Sequence, residues 1–269
     1  MNKLKNISMN RLNSILILTI ISLFSFLLCQ CENNLETEES IQVEGLILKP
    51  DVCLPDVEDK YVYPDYEVLG HLTTEEEILA ALQLPDDILN SISTFGLIRS
   101  ILDFPWLWIS YYASSNNSPI DRCYNAFSMY NCVPELEKRA DNADALAAYY
   151  SAVSLNCFKS MSAEEQLCFS VQLTALEVLF IKPDILNKFD SAEKHKVVAL
   201  MLQKYKEFNK LDARKGIGAI FSMAYIMYDD QYPPIVECLG PDIKLYEFFI
   251  WADIIDDIIS FAESYTSKK

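Results

Sequence analysis

Three short phrases dictate how most of this chain must fold. In Thr73-Thr74-Glu75-Glu76-Glu77, in Ser162-Ala163-Glu164-Glu165 and in Asp190-Ser191-Ala192-Glu193, a short oxygen-bearing side chain stands three positions before a glutamate. At that spacing the first side chain accepts from an amide of the first helical turn, and the glutamate accepts in return from the capping residue's amide. Each phrase therefore predicts a helix start, and an apolar run comes after each one. Ile78, Leu79 and Leu82 share one face after the first box. Leu167, Cys168, Val171, Ala175, Leu176, Val178 and Leu179 come after the second, apolar on so many sides that this helix is expected at the centre. After the third, Val198, Met201, Leu202, Tyr205 and Phe208 form a stripe of 3.6-residue period. Lys194, Lys196, Lys204 and Lys206 read as the opposite, solvated face of that helix, with His195 among them.

Other starts obey the same grammar. Pro85-Asp86, Ser93-Thr94 (ending near Pro105), Ser118-Pro119 (through Tyr130), Pro134 to Arg139, and Asn142 as the cap of a helix to about Ser154 are all predicted. Gly216-Ile217-Gly218-Ala219 opens a helix with small residues that allow close backbone approach, and a last helix runs from Asp242 to about Tyr265. The phrase Pro-Asp recurs at Pro85, Pro183 and Pro241 with unequal spacing, which is shared helix-start chemistry and not a structural repeat. Only six glycines in 269 residues argue against a turn-rich β-protein. The expected fold is all-α, an irregular multi-helix bundle over residues 72–269 with an extended N-terminal tether.

The first seventy residues read differently. Lys3, Lys5 and Arg11 precede an apolar run from Ile15 to Leu28. That run is shorter than the roughly 17–25 residues of a spanning helix and fits a signal peptide. No A-x-A-like cleavage pattern comes after it. Leu28-Cys29-Gln30-Cys31 instead resembles a lipobox, in which an aliphatic residue stands three before a lipid-modified cysteine. The resemblance implies Cys31 as the lipidated residue, with Cys29 as the alternative, and hence a signal peptide over 1–30. Residues 31–71 are expected to form an acidic tether, Glu32 to Ser40, and then an extended segment. In that segment "IQVEGLILK" has strand-like residues, and Cys53 could hold the chain to the helical body.

Composition narrows the partners. The net charge is −17, and the leader carries three cations and no acid, so a processed chain is more acidic still. Nothing general attracts such a chain to nucleic acid. Beyond Cys31 lie Cys53, Cys123, Cys132, Cys157, Cys168 and Cys238, an even set that permits disulfides in an exported chain. Cys123–Cys132 and Cys157–Cys168 are the pairs closest in sequence. With only His71 and His195 available and no CxxC, a zinc site is not expected, nor is any cofactor.

Candidate chemistry is sparse. Phe104-Pro105-Trp106-Leu107-Trp108-Ile109-Ser110-Tyr111-Tyr112 is the densest aromatic stretch. Trp106, Trp108, Tyr111 and Tyr112 could stack on a glycan or peptide if exposed, or pack in the core. Asp253, Asp256 and Asp257 share one helical face, which reads as solvated because helical carboxylates without loop oxygens hold calcium poorly. No nucleophile motif, metalloprotease motif or phosphate loop is present, so catalytic residues are not assigned. A hydrolase using paired carboxylates would leave no short motif.

The stretch Leu82-Gln83-Leu84-Pro85-Asp86-Asp87-Ile88-Leu89-Asn90-Ser91-Ile92-Ser93-Thr94, with Leu102-Asp103-Phe104-Pro105 and Asn131 to Arg139, resembles a group of exported Bacteroidetes proteins that has no assigned activity. The match spans about Leu82 to Tyr150. It implies a helical fold and a Gram-negative envelope lipoprotein in the outer membrane, and carries no catalytic residue over. The sequence thus leads to an envelope lipoprotein that binds or scaffolds a protein or glycan partner. A glycan- or peptide-binding aromatic patch is the first alternative and a carboxylate hydrolase the second.

Overall fold

The computed structural model describes residues 41–43, 45–49, 52–107, 119–211, 217–240 and 254–267. Thirteen α-helices and one short hairpin account for them, so the fold is all-α. The hairpin pairs β1 (Ile41–Val43) with β2 (Leu46–Leu48) antiparallel, in the register Ile41↔Leu48. Gly45 turns it with φ +91°, a conformation that favours glycine. The helices are α1 (Tyr66–Leu69), α2 (Glu75–Ala81), α3 (Asp86–Ser91), α4 (Thr94–Leu102), α5 (Pro119–Ser128), α6 (Cys132–Lys138) and α7 (Asn142–Ala152). After a 3₁₀ turn at Asn156–Ser160 come α8 (Ala163–Leu179), α9 (Pro183–Leu186), α10 (Ser191–Asn209), α11 (Ile217–Asp229), α12 (Pro233–Leu239) and α13 (Ile255–Ser267). No described helix is long and apolar enough to cross a membrane.

All three boxes form. Thr74 with Glu77, Ser162 with Glu165 and Asp190 with Glu193 each make both reciprocal bonds. Ser93 caps α4, accepting from the Gly96 amide at 2.9 Å. Asn142 behaves otherwise than predicted. It is the first residue of α7, not its cap, and its Nδ2 donates to the carbonyls of Leu136 and Glu137 at 2.9 and 3.0 Å. A buried amide so close in sequence to the end of α6 satisfies that helix's orphan carbonyls.

The chain divides into two compact units. Among the described residues, the smaller is Val62–Gln83, with α1 and α2; Leu69, Ile78 and Leu82 are its buried apolar residues. The larger combines residues from Ile41 to Tyr61 with Leu84 onward. At its centre lies α8, where Phe169, Val171, Leu173, Ala175, Leu176, Val178 and Leu179 are buried. An apolar surface on most sides lets one helix serve several neighbours, and α8 packs on α4, α5 and α11. Helix α10 packs on α11 and α13, while α4 packs on α6 and α7. Rings fill the seams: Phe208 meets Phe158 and Phe169 edge-on while those two are tilted to each other, and Phe104 stacks on Tyr130 at 4.1 Å.

Within the larger unit the described residues of 41–43, 45–49 and 52–61 form a strap laid on the helices. Ile47 pairs with Asp56 through both backbone bonds, and Leu46, Cys53, Leu54 and Val57 are buried. The Tyr149 hydroxyl donates to the Pro55 carbonyl at 2.7 Å, and the Tyr61 amide donates to Ser100 Oγ at 2.9 Å. Asp59 accepts from the amide and hydroxyl of Ser93, at 2.6 and 2.9 Å, which puts a carboxylate at the positive end of α4.

Candidate functional site

Cysteine chemistry in the described chain centres on the strap. Cys53 is joined to Cys157 across 104 residues, with Cα atoms 5.6 Å apart. Beside the bond the Ser154 amide donates to the Cys53 carbonyl at 2.9 Å, and Met161 Sδ lies 3.9 Å from Cys53 Sγ. The pairings closest in sequence do not form. Cys168 rides on α8 while Cys157 stays in the 3₁₀ turn that the strap reaches. Cys123 and Cys132 sit as buried thiols on α5 and α6, and Cys238 is exposed on α12; these three and Cys168 stand outside any disulfide. Burial pushes the Cys123 thiol up to about 12 and raises Cys132 further, so both behave as small core residues. Cys29 and Cys31 lie outside the described residues.

The aromatic patch does not assemble as a stacking platform at its described end. Trp106 is 4% exposed, in the helical turn after Phe104. Trp108, Tyr111 and Tyr112 lie outside the described residues, as does Asp253. Asp256 and Asp257 are exposed in the first turn of α13, where acids suit the helix dipole. Among the described residues no group of three or more His, Cys, Asp and Glu side chains is placed to hold a metal ion.

The lysines of α10 part company. Lys194 pairs with Asp229 at 2.8 Å and Lys206 with Glu263 at 2.5 Å. Lys204 is not on a solvated face: it is 8% exposed and donates to the carbonyls of Ser151 and Val153 at the end of α7. A cation there satisfies carbonyls that the helix leaves unpaired. His195 lies over the Tyr265 ring at 3.8 Å, and the Tyr265 hydroxyl donates to Asp230 Oδ2 at 2.7 Å. The Ser191 hydroxyl donates to the same oxygen at 2.9 Å, and His195 Nε2 is 3.8 Å from it. With Asp230 holding both hydroxyls, the group fastens α13 to α10 and α11. Along α10 lies a groove of about 330 Å³, lined by Leu202, Gln203, Glu207 and, from α13, Thr266 among others.

A second polar site is closed to solvent. Glu177, between Leu176 and Val178 on α8, is 2% exposed, and its Oε1 accepts from the Tyr150 hydroxyl at 2.9 Å. Oε2 has no hydrogen-bond partner and lies against the first turn of α11. A Cβ at Gly218 would collide with Oε2 and stand 3.0 Å from the Thr174 Cα, so only glycine admits this approach. The small residues at that helix start were legible in the sequence; the group they make room for was not. The available signal was a lone acid inside the apolar run from Leu167 to Ile181. Burial is the largest influence on this carboxyl and pushes it up to about 8, against the Tyr150 hydroxyl and the Ala219 amide.

The chain matches no family model, no curated protein sequence and no solved structure.

Proposed function

We propose that the chain is an exported envelope lipoprotein, lipidated at Cys31, whose helical body binds or scaffolds another envelope component without catalysis of its own. The observation that carries this reading is the Cys53–Cys157 bond. It closes a loop of 104 residues, is buried, and fastens the strap that comes after the signal-like leader. Such bonds persist in oxidising compartments and are rare in the cytosol, which supports export. The lipobox-like Leu28 to Cys31 supports lipid as the means of retention, since a single modified cysteine with several acyl chains contributes about 0.8 kcal/mol per buried CH₂.

The aromatic-patch alternative loses support from the burial of Trp106. The hydrolase alternative gains no residue pair from Glu177, whose carboxyl is sealed against Tyr150 and α11. Metabolic labelling with a palmitate analogue tests the anchor. The wild type and Cys29→Ser are expected to take up label in the membrane fraction, and Cys31→Ser to be unlabelled. Label on Cys31→Ser would overturn the assignment.

A further inference from the structure

A buried polar atom without a partner calls for a physical reason, and Glu177 Oε2 is one of two such atoms among the described residues. We infer that Glu177 is a proton-operated clasp between α8 and α11, closed while its carboxyl keeps the proton and loosened when the proton leaves to solvent. The carboxyl fills the gap that Gly218 leaves in the first turn of α11, and one turn further on the Ser222 hydroxyl donates to the Glu177 carbonyl at 2.8 Å. Tyr150 holds the other oxygen from α7. The seam is therefore polar at two points, between helices whose Leu173, Leu176, Ile220 and Ala224 are buried.

The Tyr150 hydroxyl and the first turn of α11, with its Ala219 amide, favour a negative charge here, but burial outweighs them and the remaining neighbours oppose it. Tyr150 is held well above the ordinary phenol value by burial and by Glu177 itself. Cys123, from α5, is a buried thiol pushed up by burial and then by Glu177. Glu207, from α10, bears on Tyr150 and adds a like charge. Of the cations on the neighbouring helices, Lys204 is engaged on the α7 carbonyls and Arg99 of α4 on Asp103 at 2.8 Å, while Arg122 of α5 acts on the adjoining Cys123. Among the described residues, an ionised carboxylate here has the Tyr150 hydroxyl and the Ala219 amide and no counter-cation acting on it. Burying such a charge is costly, and the less costly response is for water to enter the seam and the first turn of α11 to move. The clasp stands independently of the lipid anchor.

Carbon-13 NMR of the purified protein labelled at glutamate carboxyl groups tests it, monitored with the backbone amides of Gly218 to Ser222 from pH 5 to 10. One carboxyl signal is expected to titrate near pH 8 and to be missing from Glu177→Gln. The α11 amides are expected to shift with the same midpoint in the wild type and to stay still in that variant. Tyr150→Phe keeps the carboxyl but removes a donor to its charged form, so its midpoint is expected to rise, which assigns the signal even if Glu177→Gln does not fold. A Glu177 signal in the ordinary carboxyl range would overturn the inference. So would a titration near pH 8 with unmoved α11 amides, or a midpoint indifferent to Tyr150→Phe.

Discussion

At Glu177 the folded chain holds a proton that the unfolded chain gives up near its ordinary value of 4.5. Between 4.5 and about 8 the native state therefore binds one more proton than the unfolded state, and stability falls as pH rises, by about 1.4 kcal/mol per pH unit from this group. The stabilising form is fully present below 4.5 and is lost as pH passes through about 8. Glu177→Gln, measured by urea unfolding at several pH values, is expected to be less pH-dependent than the wild type across that window and more stable at pH 8. Asp56 works in the other direction. Burial would raise it, but Lys60 at 2.7 Å and the Val57 amide outweigh burial and hold it at about 2, so its contribution is lost only as pH falls through that value. Lys204 is, with Glu177, one of the two buried acidic or basic side chains among the described residues, and Lys204→Met is expected to cost about 2–3 kcal/mol by leaving the Ser151 and Val153 carbonyls without their charged donor. Its place was legible in the helical period: Lys204 comes three after Met201 and four before Phe208, both buried. Grouping it with Lys194, Lys196 and Lys206 by charge hid that, because residue type suggests exposure while position on the stripe decides it.

Helix starts were readable because a capping box is a local arrangement among four consecutive residues, with nothing distant required. Ser162→Ala is expected to cost about 1 kcal/mol in thermal or urea unfolding, since Ser162 caps the central helix α8. The central place of α8 was readable too, from an apolar surface too wide for one neighbour. The strap was only half readable. Its strand-like residues and Cys53 announced an ordered, extended segment, but the partner of Cys53 lies 104 residues away and no local pattern names it. Proximity in sequence pointed instead to Cys123–Cys132 and Cys157–Cys168, and helices carry such neighbours to different places. A cross-link over a loop of this length contributes up to about 4–5 kcal/mol through the unfolded state. Replacing Cys53 and Cys157 together by serine is expected to lose most of that in urea unfolding. Hydrogen exchange is expected to speed up at the Ile47 and Asp56 amides before it does in α8. Equal exchange in both places would mean that the strap is not held by the bond.

The chain as a whole is acidic, and its described body is helical and closed by a disulfide. Charge is a property of composition, which a sequence states directly. What the body binds depends on surfaces that only folding brings together, and of the two readings of the aromatic stretch, core or stacking patch, the one ring of the four that is described fits the core. Trp106 lies in the core because its turn continues from Phe104, which stacks on Tyr130. A lipid anchor at Cys31 on an exported helical domain is tested most directly by mass spectrometry of the mature N-terminal peptide from membranes. The expected result is a chain that begins at Cys31 and carries a diacylglyceryl group on that cysteine. A mature chain that begins elsewhere, or at Cys31 without lipid, would contradict it.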